Sequence, residues 1–189
     1  MTVGDVLVLE RAHEVDDAAF HAIFDEYQDR IYNCVYRFMG NAEDANDLTQ
    51  ETFLRAYAAL PKIRGELKVG PWLYRIATNL CMDQLRRKKL IRWEPWDLFT
   101  SMFHPRQVAR DNPEQDAVRQ ESRELVQIVL EKLSPKYRMC LVLREYDGLS
   151  CQEIAEVMGT TRSAVKSLLF RAREEFRQVY QTVEPAPTV

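Results

Sequence analysis

The segment from Gly148 to Arg173 constrains this chain more than any other. It reads Gly-Leu-Ser-Cys-Gln-Glu-Ile-Ala-Glu-Val-Met-Gly-Thr-Thr-Arg-Ser-Ala-Val-Lys-Ser-Leu-Leu-Phe-Arg-Ala-Arg. Ser150 precedes an apolar-periodic run and has Glu153 three residues on, the reciprocal pair of a capping box. Ile154, Ala155 and Met158 supply the apolar face of a short first helix. Gly159 falls where the chain must turn, and glycine adopts positive φ without a steric penalty. Thr160 or Thr161 caps a second helix. Val165, Leu169, Ala172 and Phe176 share one stripe of that helix. Its opposite side collects Ser163, Ser167, Phe170 and Arg171, flanked by Arg162, Lys166 and Arg173. A capped helix, a glycine turn and a rigid cationic second helix form a helix-turn-helix, which places its second helix in the DNA major groove. An ordinary amphipathic surface helix would share the charges but not the capped start and glycine turn.

The net charge of −3 looks wrong for a DNA-binding chain, but the distribution decides. Acidic residues crowd the first fifty positions, including Asp16, Asp17, Asp25, Glu26, Asp29, Glu43, Asp44 and Asp47. Basic residues gather at Arg86-Arg87-Lys88-Lys89 and along Arg162 to Arg177. An acidic front with two basic patches implies partners of opposite sign. Cys34, Cys81, Cys140 and Cys151 form no C-x-x-C pair and histidines are few, so no metal and no cofactor is expected. Each cysteine falls in a helical pattern, as a buried thiol in a reducing compartment does. With no signal-peptide pattern and no apolar run of membrane-spanning length, the expected location is cytoplasmic.

Periodicity divides the chain into an all-α fold of two small helical domains joined by a long linker, the second domain carrying the helix-turn-helix. Residues 1–17 are weakly patterned and expected to be mobile. The first domain, 18–89, holds three helices. Phe20, Ile23, Phe24, Tyr27, Ile31, Val35 and Phe38 line the first until Gly40. Asn41 caps the second, which ends at Pro61. A loop over 62–70 precedes the third, starting near Pro71 with Trp72, Ile76 and Leu80 inward. Residues 90–115 contain Pro95, Pro105 and Pro113 and read as a linker. Fully extended it reaches roughly 90 Å; as a flexible coil, nearer to about 30 Å. Its aromatics Trp93, Trp96, Phe99 and Phe103 are unusual for a passive tether and suggest packing on a domain or a regulator. The second domain spans 116–180 and a tail 181–189. No β alternation is apparent.

Four stretches together resemble the extracytoplasmic-function group of sigma factors in the sigma-70 superfamily, over nearly the whole chain. Asp47-Leu48-Thr49-Gln50-Glu51-Thr52-Phe53 is similar to the core-polymerase-binding segment. Trp72-Leu73-Tyr74-Arg75-Ile76-Ala77-Thr78-Asn79 resembles the promoter-melting segment, and Asp83-Gln84-Leu85-Arg86-Arg87-Lys88 the adjoining −10 reading segment. Leu149 to Arg173 resembles the −35 reading helix-turn-helix. The resemblance implies a non-catalytic specificity subunit, not an enzyme. It would bind core RNA polymerase through the largest-subunit clamp coiled coil and the flap region, and promoter DNA at two elements. It also implies control by an anti-sigma factor.

Carried over by position, Asp47, Gln50, Glu51 and Leu54 would meet the polymerase, a few polar groups around a small apolar spot. Trp72, Tyr74, Asn79, Asp83, Arg86, Arg87 and Lys88 would serve the −10 element, with aromatic faces and an amide for unpaired bases and cations for phosphates. Trp72 is equally well read as core. The stretch Ile63 to Gly70 would cradle a flipped base. Arg162, Ser163, Lys166, Ser167, Phe170 and Arg171 would read the −35 element, cations suiting guanine and the aromatic edge a thymine methyl. Leu168 departs from the polar residue the family commonly has there and lies nearer the buried stripe.

Two other classes were weighed against this one. A response regulator with a similar output domain requires an α/β receiver, which the helical pattern of residues 18–89 opposes. A nucleic-acid hydrolase requires a catalytic motif, and no H-E-x-x-H, P-loop or nucleophile elbow is present.

Overall fold

A computed structural model describes residues 6–9, 17–88 and 115–183. Strand β1 (Val6–Leu9) is followed by helices α1 (Asp17–Met39) and α2 (Ala42–Ala59) and a 3-10 turn at Leu60–Lys62. Strand β2 (Gly65–Lys68) leads into α3 (Val69–Arg87). The second module comprises α4 (Gln115–Lys132), α5 (Pro135–Leu141) with a π-helical continuation at Val142–Tyr146, α6 (Cys151–Met158) and α7 (Arg162–Val183). The linker aromatics Trp93, Trp96, Phe99 and Phe103 lie outside the described residues.

The α1 stripe packs as its spacing predicts. Ile23, Tyr27, Ile31, Val35 and Phe38 are buried, with Phe20 and Phe24 half-buried against Phe53 and Tyr57 of α2. Asn41 caps α2, its Oδ1 accepting from the Asp44 amide at 2.8 Å. Gly40 takes φ +80°, the left-handed residue that ends α1.

Two expectations are corrected. Residues 1–17 and 62–70 contribute a two-stranded antiparallel sheet, with Val6 opposite Lys68 and Leu9 opposite Gly65. Four-residue strands are too short to display a two-residue period, and the pairing joins segments far apart in sequence. Helix α3 also begins at Val69 rather than near Pro71, and its buried set is rotated from the expected one. Leu73, Tyr74, Ala77, Thr78, Leu80, Cys81 and Leu85 are buried, while Trp72 and Ile76 are only half-buried. The cause is a second covering layer: α1 and α2 take one side of α3, and α6 of the second module takes another.

The two modules therefore share a continuous core, which runs from Ile23 through Leu143 to Ala172. Its tightest polar tie is Arg138, only 7% exposed. The guanidinium donates to Leu130 O at 2.7 Å and Glu131 O at 2.5 Å, at the C-terminal end of α4. It also donates to Phe38 O, at the C-terminal end of α1, at 2.6 Å. Helix ends leave carbonyls without intrahelical partners and favour a cation. Burial lowers the Arg138 pKa to about 10, so it remains charged at neutral pH. Truncation by Arg138→Ala strips the Glu131 and Phe38 carbonyls of this donor, while Leu130 O keeps the Leu133 amide at 3.2 Å. We expect a loss of about 3 kcal/mol in chemical denaturation, with Arg138→Lys recovering only part of it.

Candidate nucleic-acid interface

The helix-turn-helix forms as its caps dictate. Ser150 Oγ accepts from the Glu153 amide at 3.2 Å, and Glu153 Oε2 accepts from the Ser150 amide at 2.8 Å. Those hydrogen bonds hold the Glu153 carboxyl below its ordinary pKa. Gly159 turns the chain at φ +62°. Thr161, rather than Thr160, caps α7, its hydroxyl accepting from the Ala164 amide at 3.2 Å. Val165, Leu169 and Ala172 fix α7 on the core, and Leu168 packs against the same cluster.

That anchoring leaves Arg162, Ser163, Lys166, Ser167, Phe170 and Arg171 all exposed on one side of a rigid helix. Phe170 is 69% exposed, a large ring with little of its surface covered by the protein. Ser167 donates to Ser163 O at 3.2 Å, keeping its own lone pairs outward. Arg173, on the flank of this array, is instead engaged with Glu145 at 2.7 Å.

On α2, Asp47, Gln50 and Leu54 are exposed and Glu51 is partly so. Leu54 is 65% exposed beside an Arg55–Glu51 pair at 2.7 Å. Tyr57, 51% exposed, extends this patch by one helical turn. It escaped the sequence reading, although its i+3 spacing from Leu54 carried the signal. The helix is held from behind by Leu48, Phe53 and Ala56, and the buried Thr52 hydroxyl donates to Leu48 O at 2.6 Å.

Helix α3 separates its assigned residues. Trp72, Asn79, Asp83 and Arg86 follow one face by helical spacing, and the exposed Arg75, not singled out from sequence, joins them. Arg86 pairs with Asp83 at 2.9 Å in an exposed contact of little energetic worth. Arg87 is exposed. Tyr74 is on the other side, 1% exposed, with its hydroxyl donating to Asp147 Oδ1 of the second module at 3.0 Å. In this arrangement it cannot stack on a base. Lys88 also differs from a free phosphate ligand: its Nζ reaches both oxygens of the buried Asp44 at 2.7 and 2.6 Å. Burial alone would raise the Asp44 pKa, but hydrogen bonds from Lys88, Asn41 and Gln84 outweigh it and the net shift is downward. The stretch from Ile63 to Gly70 is mostly strand and helix start, with Glu66 and Lys68 exposed.

Among the described residues, no group of three or more His, Cys, Asp or Glu side chains converges as a metal ion would require. No helix among them is long and apolar enough to cross a membrane.

Two helical modules, one bearing a capped major-groove reader, define a DNA-reading protein of two small domains. Comparison with known proteins agrees. Residues 23–91 match Sigma-70 region 2, and residues 123–176 match Sigma-70, region 4. The chain is 35% identical over 183 residues to the ECF RNA polymerase sigma factor SigW of Bacillus subtilis, which spans 92% of this chain and 97% of that one. CnrH, solved in complex with the cytosolic domain of CnrY, has the same fold at 24% identity, with a TM-score of 0.64 over 90% of this chain and 93% of that chain. The sigma factor RpoE, solved with the anti-sigma factor NepR from Bartonella quintana, matches at 19% identity with a TM-score of 0.64, over 86% of this chain and 97% of that chain. The chain belongs to the ECF group of sigma-70 family RNA polymerase sigma factors. It is a transcription initiation factor and not an enzyme.

The geometry separates cations that hold the fold from cations open to phosphates. Arg86→Ala and Arg87→Ala should each lower the salt slope of promoter binding by the polymerase-bound chain by about 1. Lys88→Ala should leave that slope unchanged and cost about 1–3 kcal/mol of fold stability, because the buried Asp44 loses its cationic partner. The Asp44 pKa is depressed, so the stability from this pair holds above the ordinary carboxyl range and is lost as pH falls through the depressed value. An acid-denaturation profile of the Lys88→Ala variant should lack that component.

Proposed function

We propose that the exposed face of α7 reads the upstream promoter element while the Trp72, Asn79 and Arg86 face of α3 engages the downstream one. The observation carrying this reading is the α7 array: six outward side chains of hydrogen-bonding, cationic and aromatic type on one capped, core-anchored helix. Lys166, Arg162 and Arg171 supply guanine-seeking donors, and Phe170 an apolar edge for a thymine methyl. On α3, the half-buried Trp72 offers an edge for stacking and Asn79 an amide for an unpaired base. Asp47, Gln50, Glu51 and Leu54, with Tyr57, dock the chain on core polymerase, where the protein works in the cytoplasm.

A groove of about 570 Å³ runs between α4, α5 and α7, floored by Val126, Leu130, Leu141, Phe176 and Tyr180 and rimmed by Glu145, Arg173 and Arg177. Its apolar floor and charged rim suit a helix of a protein partner, such as the polymerase flap or an anti-sigma factor. Control by an anti-sigma factor fits the fold shared with RpoE, which was solved with one bound.

In the closed arrangement the two modules pack on each other through α3 and α6. Engaging promoter elements more than one helical turn of about 34 Å apart requires the modules to separate along the linker. Run-off transcription with core polymerase over a randomised promoter library tests the assignment. Lys166→Ala should relax selection at one upstream position, by about 1–3 kcal/mol. Asn79→Ala should change selection only downstream. Sequence profiles identical to wild type for both variants would reject these roles.

A further inference from the structure

One half-buried carboxylate at the contact between the modules has a buried oxygen with no hydrogen-bond partner. Asp147 follows the π-helical turn, with φ −94° and ψ −7° and its amide donating to Val142 O at 3.3 Å. Its side chain points across the interface. Oδ1 accepts from the Tyr74 hydroxyl of α3, whereas Oδ2 is buried with no hydrogen-bond partner. The titratable and charged groups facing it are Tyr74 from α3 and Arg30, Cys34 and Arg37 from α1. The two arginines have other engagements: Arg37 lies 4.2 Å over the Tyr146 ring and Arg30 lies 5.1 Å over the Tyr27 ring.

Water would solvate both oxygens of this carboxylate, and the closed interface satisfies one. Ionised Asp147 is therefore worse off closed than open. Protonation removes the charge and with it most of that penalty. Separation of the modules exposes the group without unfolding either one, so the penalty falls on closure. We propose that Asp147 is a proton-responsive clasp between the two promoter-reading modules: protonated it admits closure, and ionised it biases the modules apart.

The direction of the linkage follows. Burial raises the Asp147 pKa in the closed form, against the opposing hydrogen bonds of Tyr74 and Cys34 and the charges of Arg37 and Arg30. In the open form the group titrates near its ordinary value of about 3.9. The closed form therefore holds the proton more tightly. Its advantage is complete below the open-form value and is lost as pH rises through the raised closed-form value. Between the two, the open-to-closed ratio rises up to about tenfold per pH unit. Above the raised value the open bias is constant.

The clasp is a property of the free chain, while its meaning for promoter access rests on the function proposed above. Small-angle scattering on the full chain tests it, with circular dichroism to verify helix content. A closed chain of this length has a radius of gyration of roughly 16 Å, and separation increases it. Asp147→Asn should be compact at every pH from about 5 to 8. Asp147→Arg, placing a third cation against Arg30 and Arg37, should be extended throughout. The wild type should move from the Asp147→Asn value toward the Asp147→Arg value as pH rises. If Asp147→Arg does not fold, Tyr74→Phe replaces it as the open reference at pH 8, since it strips the carboxylate of its hydroxyl donor. A wild type matching Asp147→Asn at pH 8, or Asp147→Asn drifting with pH as the wild type does, overturns the proposal. Run-off transcription by the same variants then separates the two layers. A scattering switch with unchanged transcription by Asp147→Asn upholds the clasp and rejects its role in promoter access.

Discussion

The closed arrangement depends on one guanidinium. Arg138 gathers carbonyls from the C-terminal ends of two helices in different modules, Leu130 and Glu131 of α4 and Phe38 of α1. Burying a cation is costly unless its hydrogen-bonding capacity is met. Here three carbonyls at helix C-terminal ends meet it, of which Leu130 O also accepts from the Leu133 amide. The arrangement brings α1 and α4 together end to end and lets Arg37 lie on the Tyr146 ring. It also seats the π-helical turn against α1, from which Asp147 reaches Tyr74. Without Arg138 the apolar contacts around Val142 and Leu143 would keep only the Tyr74–Asp147 and Gln127–Arg37 hydrogen bonds and exposed contacts to fix their register.

Closure divides the surface of α3 into two parts. The side bearing Tyr74, Thr78 and Cys81 becomes interior, shared with Cys34 and Val142 around a void of about 10 Å³, room for one water at most. The side bearing Asn79, Arg75 and Arg86 stays open. The recognition helix α7 keeps its outward array intact, because its anchoring residues face the interior of its own module. Closure thus leaves the proposed reading faces of α3 and α7 exposed.

How much of this was legible in the sequence varies by residue. The helix-turn-helix was, because its signals are local: Ser150 and Glu153 lie three residues apart, and Gly159 needs only its own backbone. The outward face of α7 and the α2 patch followed from helical periodicity alone. Tyr74 was not legible, since the residue that buries it lies 73 positions further on. Periodicity reports that a helix has an apolar side; it does not report that a second module covers another side. Lys88 was misread for the same reason, its partner Asp44 being 44 positions away. The strands Val6–Leu9 and Gly65–Lys68 are short, and each acquires meaning only from the other.

The composition of the module contact explains why it can be reversible. Alongside its apolar centre it carries a buried cation, a half-satisfied carboxylate, an amide from Gln127 reaching Arg37 O at 3.3 Å, and an exposed Lys68–Glu156 pair at 3.7 Å. Such contacts resemble transient interfaces more than a domain core. Because the modules belong to one chain, each meets the other at an effective concentration on the order of millimolar. Closure then requires an intrinsic affinity of only about 1 mM, near −4 kcal/mol. At that balance, a change of about 1.4 kcal/mol alters the closed-to-open ratio tenfold. One proton on a half-buried carboxylate, or one partner helix seated beside Arg173, lies within that range. The balance between closed and separated modules is thus within reach of weak polar terms that other molecules can outweigh.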